Sequence, residues 1–415
     1  MARTNWAGNL TYRAKNFAAP ASLDEAREIV AGARKVRVVG SRHCFNDIAD
    51  TPDTQISLEH MRGVVGLDRE RRQVTVEGGI RYGDLGPWLH ERGFTLANLA
   101  SLPHISVAGA TATATHGSGT KNRNLAAAVA AIEFITSDGD LATLSRDADA
   151  EFPGAVVHLG ALGVVTKLTL DVVPSFEVRQ DLFLDLAAAD LAANFDEIMG
   201  CGYSVSLFTP WTDDRIQQVW VKNIAGDFAP PAGLSRAKPA REKLHPILGI
   251  DPVNCTEQLG QHGPAFDRLP HFRMGFVPAS GDELQVEYFV PYDRARDVIA
   301  AMFGVGEKLK PLLMISELRT IAADDLWLSG SYGRQTIALH FSFQRDEPAL
   351  RRLLPVLEEA LAPFDPRPHW GKVFTMAPEV VRHRYEKMSN FRDLIVEHDM
   401  AGKFRNEYVE RMIFG

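Results

Sequence analysis

A chain of 415 residues is too long for one ordinary hydrophobic core and predicts two domains. A 45% hydrophobic and 24% charged composition is that of a soluble globular protein, and a net charge of −8 speaks against nonspecific nucleic-acid binding. Three widely spaced cysteines, Cys44, Cys201 and Cys255, form neither a disulfide framework nor a zinc site, so no metal is expected and the setting reads as reducing and cytoplasmic.

No apolar run is long enough to span a membrane, and residues 1–6 lack the apolar core of a secretory signal. Residues 20–35 read as the first helix. Ser22 with Glu25 three positions on fits a capping box, and Ala26, Ile29, Val30 and Ala33 share a face. The β-branched run 36–39 reads as a buried strand that ends in the tight loop Gly40-Ser41-Arg42-His43-Cys44. Such a loop points successive backbone N–H groups at one spot, which suits a phosphate. His43 at its crown is either a histidine that bonds the backbone or a cofactor ligand or covalent anchor.

Strands at 55–58, 63–67 and 73–77 follow, then a helix over 82–92 with Leu85, Trp88 and Leu89 inward, stopped by Gly93. Residues 97–119 are almost free of charge and rich in Gly, Ala, Ser and Thr. A linker is one reading, but linkers usually carry Pro, Lys and Glu. A buried segment lining a cofactor is the better one, because small residues let backbone approach a ligand closely. Residues 129–145 read as a hairpin about Ser137-Asp138-Gly139-Asp140, and the small apolar stretch 159–166 runs into a strand at 167–173.

Beyond Pro174 the pattern gives strands at 178–184, 204–208, 215–222, 284–290, 313–320 and 336–343, with helices at 190–199, 293–309 and 348–361. Residues 226–243, rich in Pro and Gly, read as a surface loop. Strands outnumber what parallel crossovers need, so the expectation is α+β: an antiparallel sheet with helices on one face. The stretch 399–406 reads as a turn, after which the chain end can return to the first domain. Alternation puts Glu317 and Arg319 on one side of their strand, and His340 and Ser342 on one side of theirs. That face is either solvated or a polar pocket for a polyhydroxy compound. Lys372, in Arg367-Pro368-His369-Trp370-Gly371-Lys372, either reaches such a pocket or is a surface lysine. The chain has no G-x-G-x-x-G opening a helix, no Walker loop, no H-E-x-x-H and no G-x-S-x-G. This argues against a Rossmann dehydrogenase, a phosphotransferase, a zinc protease and an α/β-hydrolase.

Several separated pieces carry a resemblance: Asn5-Trp6-Ala7-Gly8-Asn9, 101–109 with Thr115-His116-Gly117-Ser118-Gly119, Ala161-Leu162-Gly163-Val164-Val165-Thr166, Asn254-Cys255-Thr256-Glu257-Gln258, 368–374 and Gly402-Lys403-Phe404. Together they resemble the vanillyl-alcohol-oxidase-type flavoproteins, and among them the alditol (xylitol) oxidases. The resemblance implies a two-domain α+β fold: an FAD-binding domain over 1–175, a substrate or cap domain over 176–375, and a segment 376–415 returning to the first. It implies FAD bonded covalently to His43, with contacts from Val38, Val39, Gly40, Ser41, Arg42, Cys44, Ser106, Gly109, Thr113, Ala114, Thr115, His116, Val164 and His369. Substrate-binding positions would be Ser101, Glu317, Arg319, Ser342 and Lys372, with His340 near the reacting carbon.

Two positions depart from the relatives. Ser342 stands where an alditol oxidase has threonine, which enlarges the pocket slightly, and Arg42 stands where the wider family often has a second glycine. The implied activity is oxidation of a terminal primary alcohol of a linear polyol such as xylitol or sorbitol to an aldose, with O2 reduced to H2O2. Arg319 and Lys372 would stabilise the developing alkoxide, and His340 is the candidate base. The partners would be polyol and O2, with no nucleic acid or membrane, and the protein a monomer. An aldonolactone oxidoreductase of the same fold is the alternative. A non-catalytic flavin-binding protein is a second, against which Glu317, Arg319, His340 and Lys372 together argue.

Overall fold

The computed structural model describes residues 3–224, 226–275 and 283–415; of the N-terminal stretch judged above, Met1 and Ala2 lie outside them. Two units of sheet carry the molecule. In the first, β1 (Asn16–Ala18) leads into α1 (Leu23–Gly32), β2 (Val36–Val38) and β3 (Thr54–Ile56), and the three strands form a parallel sheet ordered β1-β3-β2. Helix α1 is shorter at both ends than the expected 20–35, but its cap is the expected one: Ser22 Oγ accepts from Glu25 N at 3.2 Å. The reciprocal bond is displaced by one residue, since the Glu25 carboxylate accepts from Ala21 N at 2.8 Å and not from Ser22 N. Ala26 and Val30 pack on Val36, Ile56 and Met61.

Five antiparallel strands follow in the first half: β4 (Val64–Asp68), β5 (Gln73–Glu77), then, after helices α2 (Tyr82–His90) and α3 (Val107–Ala112), β6 (Val129–Ile135), β7 (Leu141–Ser145) and β8 (Val164–Asp171). Their order is β4-β5-β8-β6-β7. The expected hairpin is β6–β7, with Ala131 opposite Ser145 and Ile135 opposite Leu141. The charge-poor segment 97–119 is no linker: Val107, Ala110, Thr111 and Ala112 are buried on α3.

Among the described residues the second unit is a nine-stranded antiparallel sheet. Its main strands are β9 (Glu177–Ala187), β10 (Ser204–Thr209), β11 (Arg215–Ile224), β12 (Glu283–Pro291), β13 (Leu313–Ile321) and β14 (Thr336–Gln344), ordered β9-β11-β10-β13-β14-β12. Strict alternation divides its two faces. Val286, Tyr288, Leu318, Leu339 and Phe341 pack against the buried stripes of α6 (Ala295–Leu309) and α7 (Glu347–Leu361), including Val298, Met302, Leu350 and Leu354; between β9 and β10 lie α4 (Ala188–Ala193) and α5 (Phe195–Gly200). The opposite face carries Gln285, Glu287, Glu317, Arg319, His340 and Ser342, and the register sets Glu287 and Glu317 on either side of His340.

Two expectations need correction. The helix expected over 190–199 is broken into α4 and α5 at Asn194, whose side-chain Nδ2 donates to Asp190 O at 2.9 Å and so competes with the helix ladder. The surface loop 226–243 is not wholly superficial. Leu234 is buried with Leu191 and Ile198, because that stretch covers an apolar edge of the second core. The turn at 399–406 docks on the first unit: Val36 N donates to Lys403 O at 3.0 Å, Phe404 joins the cluster under α1, and Asn406 Nδ2 reaches the carbonyl of Asp50 at 2.8 Å. Among the described residues, no helix is long and apolar enough to cross a membrane, and no cluster of His, Cys, Asp and Glu could hold a metal ion.

Candidate active site

A cavity of about 970 Å³ lies between the loop after β2, the segment 100–116, the stretch 158–165 and the polar face of β12, β13 and β14. That is the upper end of the size range of small-molecule sites. Val38, Val39, Gly40, Ser41, Arg42, His43, Cys44, Ser101, Ser106, Gly109, Thr113, Thr115, His116, Glu317, Arg319, His340, Ser342, His369 and Lys372 all line it. Ala114 and Val164 do not. Val164 packs under α1, while its neighbours Gly163 and Val165 face the cavity, as strand alternation requires. Ala114, at φ 54°, is buried in the core of the first unit.

Close backbone approach shapes the loop after β2. A Cβ on Gly40 would fall 2.3 Å from Ser106 Oγ, and one on Gly109 would fall 2.7 Å from the same atom. Arg42 holds φ 63°, a left-handed conformation that glycine adopts without strain, which fits the glycine that the resemblance leads one to expect there. Ser106 N donates to Ser41 Oγ at 3.2 Å, whereas Ser106 Oγ is buried with no hydrogen-bond partner. His43 stacks on Trp6, ring centroids 5.2 Å apart and 19° from parallel, and its Nδ1 has no hydrogen-bond partner. Burial, reinforced by the positive charge of Lys372, pulls the His43 imidazole down to about 4, so it is neutral near pH 7. A neutral imidazole whose Nδ1 has no partner, an orphaned hydroxyl and a glycine cradle are features that a large cofactor with phosphates would satisfy.

The polar sheet face is not solvated. Glu287 is 2% exposed, Glu317 6% and Arg319 7%. Glu287 Oε1 accepts from Arg319 Nη2 at 2.8 Å, lies 3.1 Å from His116 Nε2 and 3.5 Å from His340 Nδ1. Burial works to raise the Glu287 carboxyl, but His116, Arg319 and His340 outweigh it and hold it well below the usual carboxylate range. Glu317 behaves alike: burial opposes ionisation, and Arg319 and His271 overcome it. Arg319 Nη1 donates to Ser101 Oγ at 3.4 Å, which joins the 97–119 segment to β13. Lys372 Nζ donates to Gln285 Oε1 and lies 5.0 Å from the Phe45 ring centroid. Burial lowers its ammonium, against the pull of Glu287. His369 Nδ1 accepts from Gly371 N at 3.0 Å.

Sequence reasoning missed Glu287, Gln285, Trp6 and His271. For the first two a signal exists: in Leu284-Gln285-Val286-Glu287-Tyr288 the polar residues alternate with apolar ones as they do around Glu317 and His340. His271 lies outside any strand or helix, in a segment without periodicity, so no local pattern marks it.

Comparison with known proteins agrees with this geometry. A family model described as an FAD binding domain matches residues 14–145, and one described as D-arabinono-1,4-lactone oxidase matches residues 282–412. The chain is 45% identical to alditol oxidase from Streptomyces over 99% of both chains, and 38% identical to L-gulonolactone oxidase from Bos taurus over 99% of this chain and 98% of that one. Its fold superposes on the crystal structure of cholesterol oxidase from B. sterolicum with a TM-score of 0.79 at 14% identity, covering 99% of this chain and 96% of that one. The fold is therefore of the vanillyl-alcohol-oxidase type, and the protein is an FAD-dependent oxidoreductase. Within that class the chain belongs to the alditol oxidase family.

Proposed function

We propose that the protein oxidises the terminal primary alcohol of a linear polyol, such as xylitol or sorbitol, to an aldose, with O2 as acceptor and H2O2 as product. The observation that carries this reading is the buried face on which Glu287, Glu317, Arg319 and His340 meet Lys372 at the cavity wall. FAD, when bound, supplies the hydride acceptor. Val38 to Cys44, Ser106, Gly109, Thr113, Thr115, His116 and His369, which line the cavity, would hold it. The chain's own task is to bind the polyol, to orient the carbinol and to take up its hydroxyl proton. Glu317, Ser342 and Ser101 present an acceptor and hydroxyls to the substrate's hydroxyls, and a site that pairs several of them discriminates strongly against analogues that lack them. Arg319 and Lys372 direct positive charge at the oxygen that loses its proton. His340, 3.5 Å from the Glu287 carboxylate, is the base.

Covalent attachment of the flavin through His43 belongs to the same proposal, supported by its neutral ring, its unbonded Nδ1 and the Trp6 stack. So does the division into 1–175, 176–375 and 376–415. A reducing, cytoplasmic setting fits the three free cysteines, and a monomer is part of the same proposal. The test is to add xylitol to the purified yellow protein without air. Bleaching, followed by recovery of the absorbance and release of H2O2 on aeration, is expected. No bleaching by any polyol, with reduction by gulono- or galactonolactone instead, would replace this reading by the lactone one. Acid-precipitated protein should stay yellow and His43→Ala should give a colourless pellet. Full release of flavin from the unaltered protein by acid would leave His43 as a plain contact.

A further inference from the structure

Behind Glu317 two buried side chains, His271 and Lys222, lead away from the cavity into the second sheet. Glu317 Oε1 lies 2.8 Å from His271 Nε2, and His271 Nδ1 lies 3.0 Å from Lys222 Nζ on β11. Lys222 is 1% exposed and His271 5%. The Lys222 nitrogen has three acceptors around it: Leu269 O at 2.5 Å, Pro270 O at 3.2 Å and His271 Nδ1. Burial pulls the Lys222 ammonium down to about 7 against the pull of Glu317, and in that charged form its three N–H donors and lack of a lone pair match this surrounding. A donor fixed at Nδ1 forces the neutral imidazole to carry its proton on Nε2, where it faces the Glu317 carboxylate. The ring cannot turn away. Phe208 and Trp220 meet it edge-on at 5.7 and 5.1 Å, and the backbone N–H of His271 donates to Ser101 O at 3.0 Å. Glu317 thus receives one charge-assisted hydrogen bond from behind at Oε1, while its Oε2 makes no hydrogen bond to any described residue.

We infer that Lys222 is a positioning residue for polyol binding: it sets the tautomer of His271, which in turn holds the Glu317 carboxylate with one oxygen free to accept a substrate hydroxyl. This deepens the proposed function and rests on that reading. A buried lysine and histidine placed for packing alone would be better replaced by apolar groups, since each loses hydration on burial and needs partners to recover it. Besides the carbonyls of Leu269 and Pro270, the side-chain contact of Lys222 runs through His271 and ends on a residue at the cavity wall.

Anaerobic stopped-flow titration of the flavin-loaded enzyme with xylitol reads a dissociation constant and a limiting rate of flavin reduction separately. Lys222→Met should raise the dissociation constant about 10- to 100-fold, the range for one hydrogen bond to a charged group. The limiting rate should stay within about threefold, as expected when uniform binding is lost. His271→Asn should do the same, because the amide oxygen replaces Nδ1 as the acceptor for Lys222 and only the donor to Glu317 is lost. In a Glu317→Gln background neither change should weaken xylitol binding by more than about twofold, because both act through that carboxylate. A rise of less than tenfold in Lys222→Met or in His271→Asn, or an undiminished effect of either change on Glu317→Gln, overturns the inference. If Lys222→Met does not fold, Lys222→Gln takes its place with the same expected rise. If the parent protein is not reduced by xylitol, it is the function that fails and not this relay, for which a deuterium-exchange signature remains: greater exchange of the 268–272 backbone in Lys222→Met than in Glu317→Gln.

Discussion

Glu287 and Arg319 form an ion pair of 2.8 Å across β14, the strand between theirs on the polar sheet face, with only 2% and 7% of the two residues exposed. Coulomb attraction is strong there because little water screens it, and the desolvation of both groups is offset only while both are present. Removing one charge by Glu287→Gln leaves Arg319 facing only the more distant Glu317, at 3.6 Å. Breaking such a pair costs about 3–5 kcal/mol. The variant should therefore melt earlier by calorimetry and be reduced more slowly by xylitol. Parent-like values of both would show that the pair is idle.

Lys372→Met keeps the length of the side chain and its packing against Phe45, and removes the charge. The anaerobic rate of flavin reduction at saturating polyol should fall by roughly 10²–10³, the range for loss of one preorganised donor. A fall within about threefold, small beside that range, would take Lys372 out of the reaction. A raised substrate requirement with an unchanged limiting rate would make it a binding group only.

Ser342 lines the cavity, flanked across the strands by Gln285 and Ile315. Ser342→Thr adds one methyl group to that wall. A change of this size in a pocket is worth roughly 1–3 kcal/mol. Comparing kcat/KM for xylitol, sorbitol and shorter polyols should show a changed ranking with turnover retained. An identical ranking would place the position outside the discriminating wall.

Acid should destabilise the fold through its buried histidines. Burial, aided by Arg37, lowers His158 from 6.5 to about 4, and burial lowers His369 to about 3. Below 6.5 the unfolded chain binds protons that the folded chain refuses, so stability falls as pH drops from about 6.5 towards 4. The depressed carboxyls of Glu287 and Glu317 add a further loss at lower pH, where the unfolded chain's carboxyls take up protons first. Melting temperature against pH should show this decline. His158→Asn keeps an acceptor for Gly160 N, which His158 Nδ1 now serves at 3.0 Å, and removes one titrating group. Its decline should be shallower; an unchanged slope would mean that His158 is not titrating.

The strands and most helices were legible because their cores impose periods that a linear sequence displays. Glu317 with Arg319, and His340 with Ser342, were paired correctly since strand alternation needs no tertiary knowledge. The glycine loop announced a close approach, and motif resemblance extended this to a cofactor and a substrate class. Whether that polar face met water or a cavity was undetermined by alternation, since both uses show the same pattern. Burial decided it, and burial depends on what the first unit lays over the sheet. The helix break at Asn194 was hidden because side-chain competition with the backbone acts against an apolar pattern that continues through it. Glu287 as the hub, the Trp6 stack on His43 and the path from Lys222 through His271 to Glu317 join residues 32 to 171 positions apart, 37 positions apart and 46 to 49 positions apart respectively. Contacts across such separations follow from sheet register and from the docking of the two units. Those are set by the summed packing of many side chains, and no local run of residues encodes them.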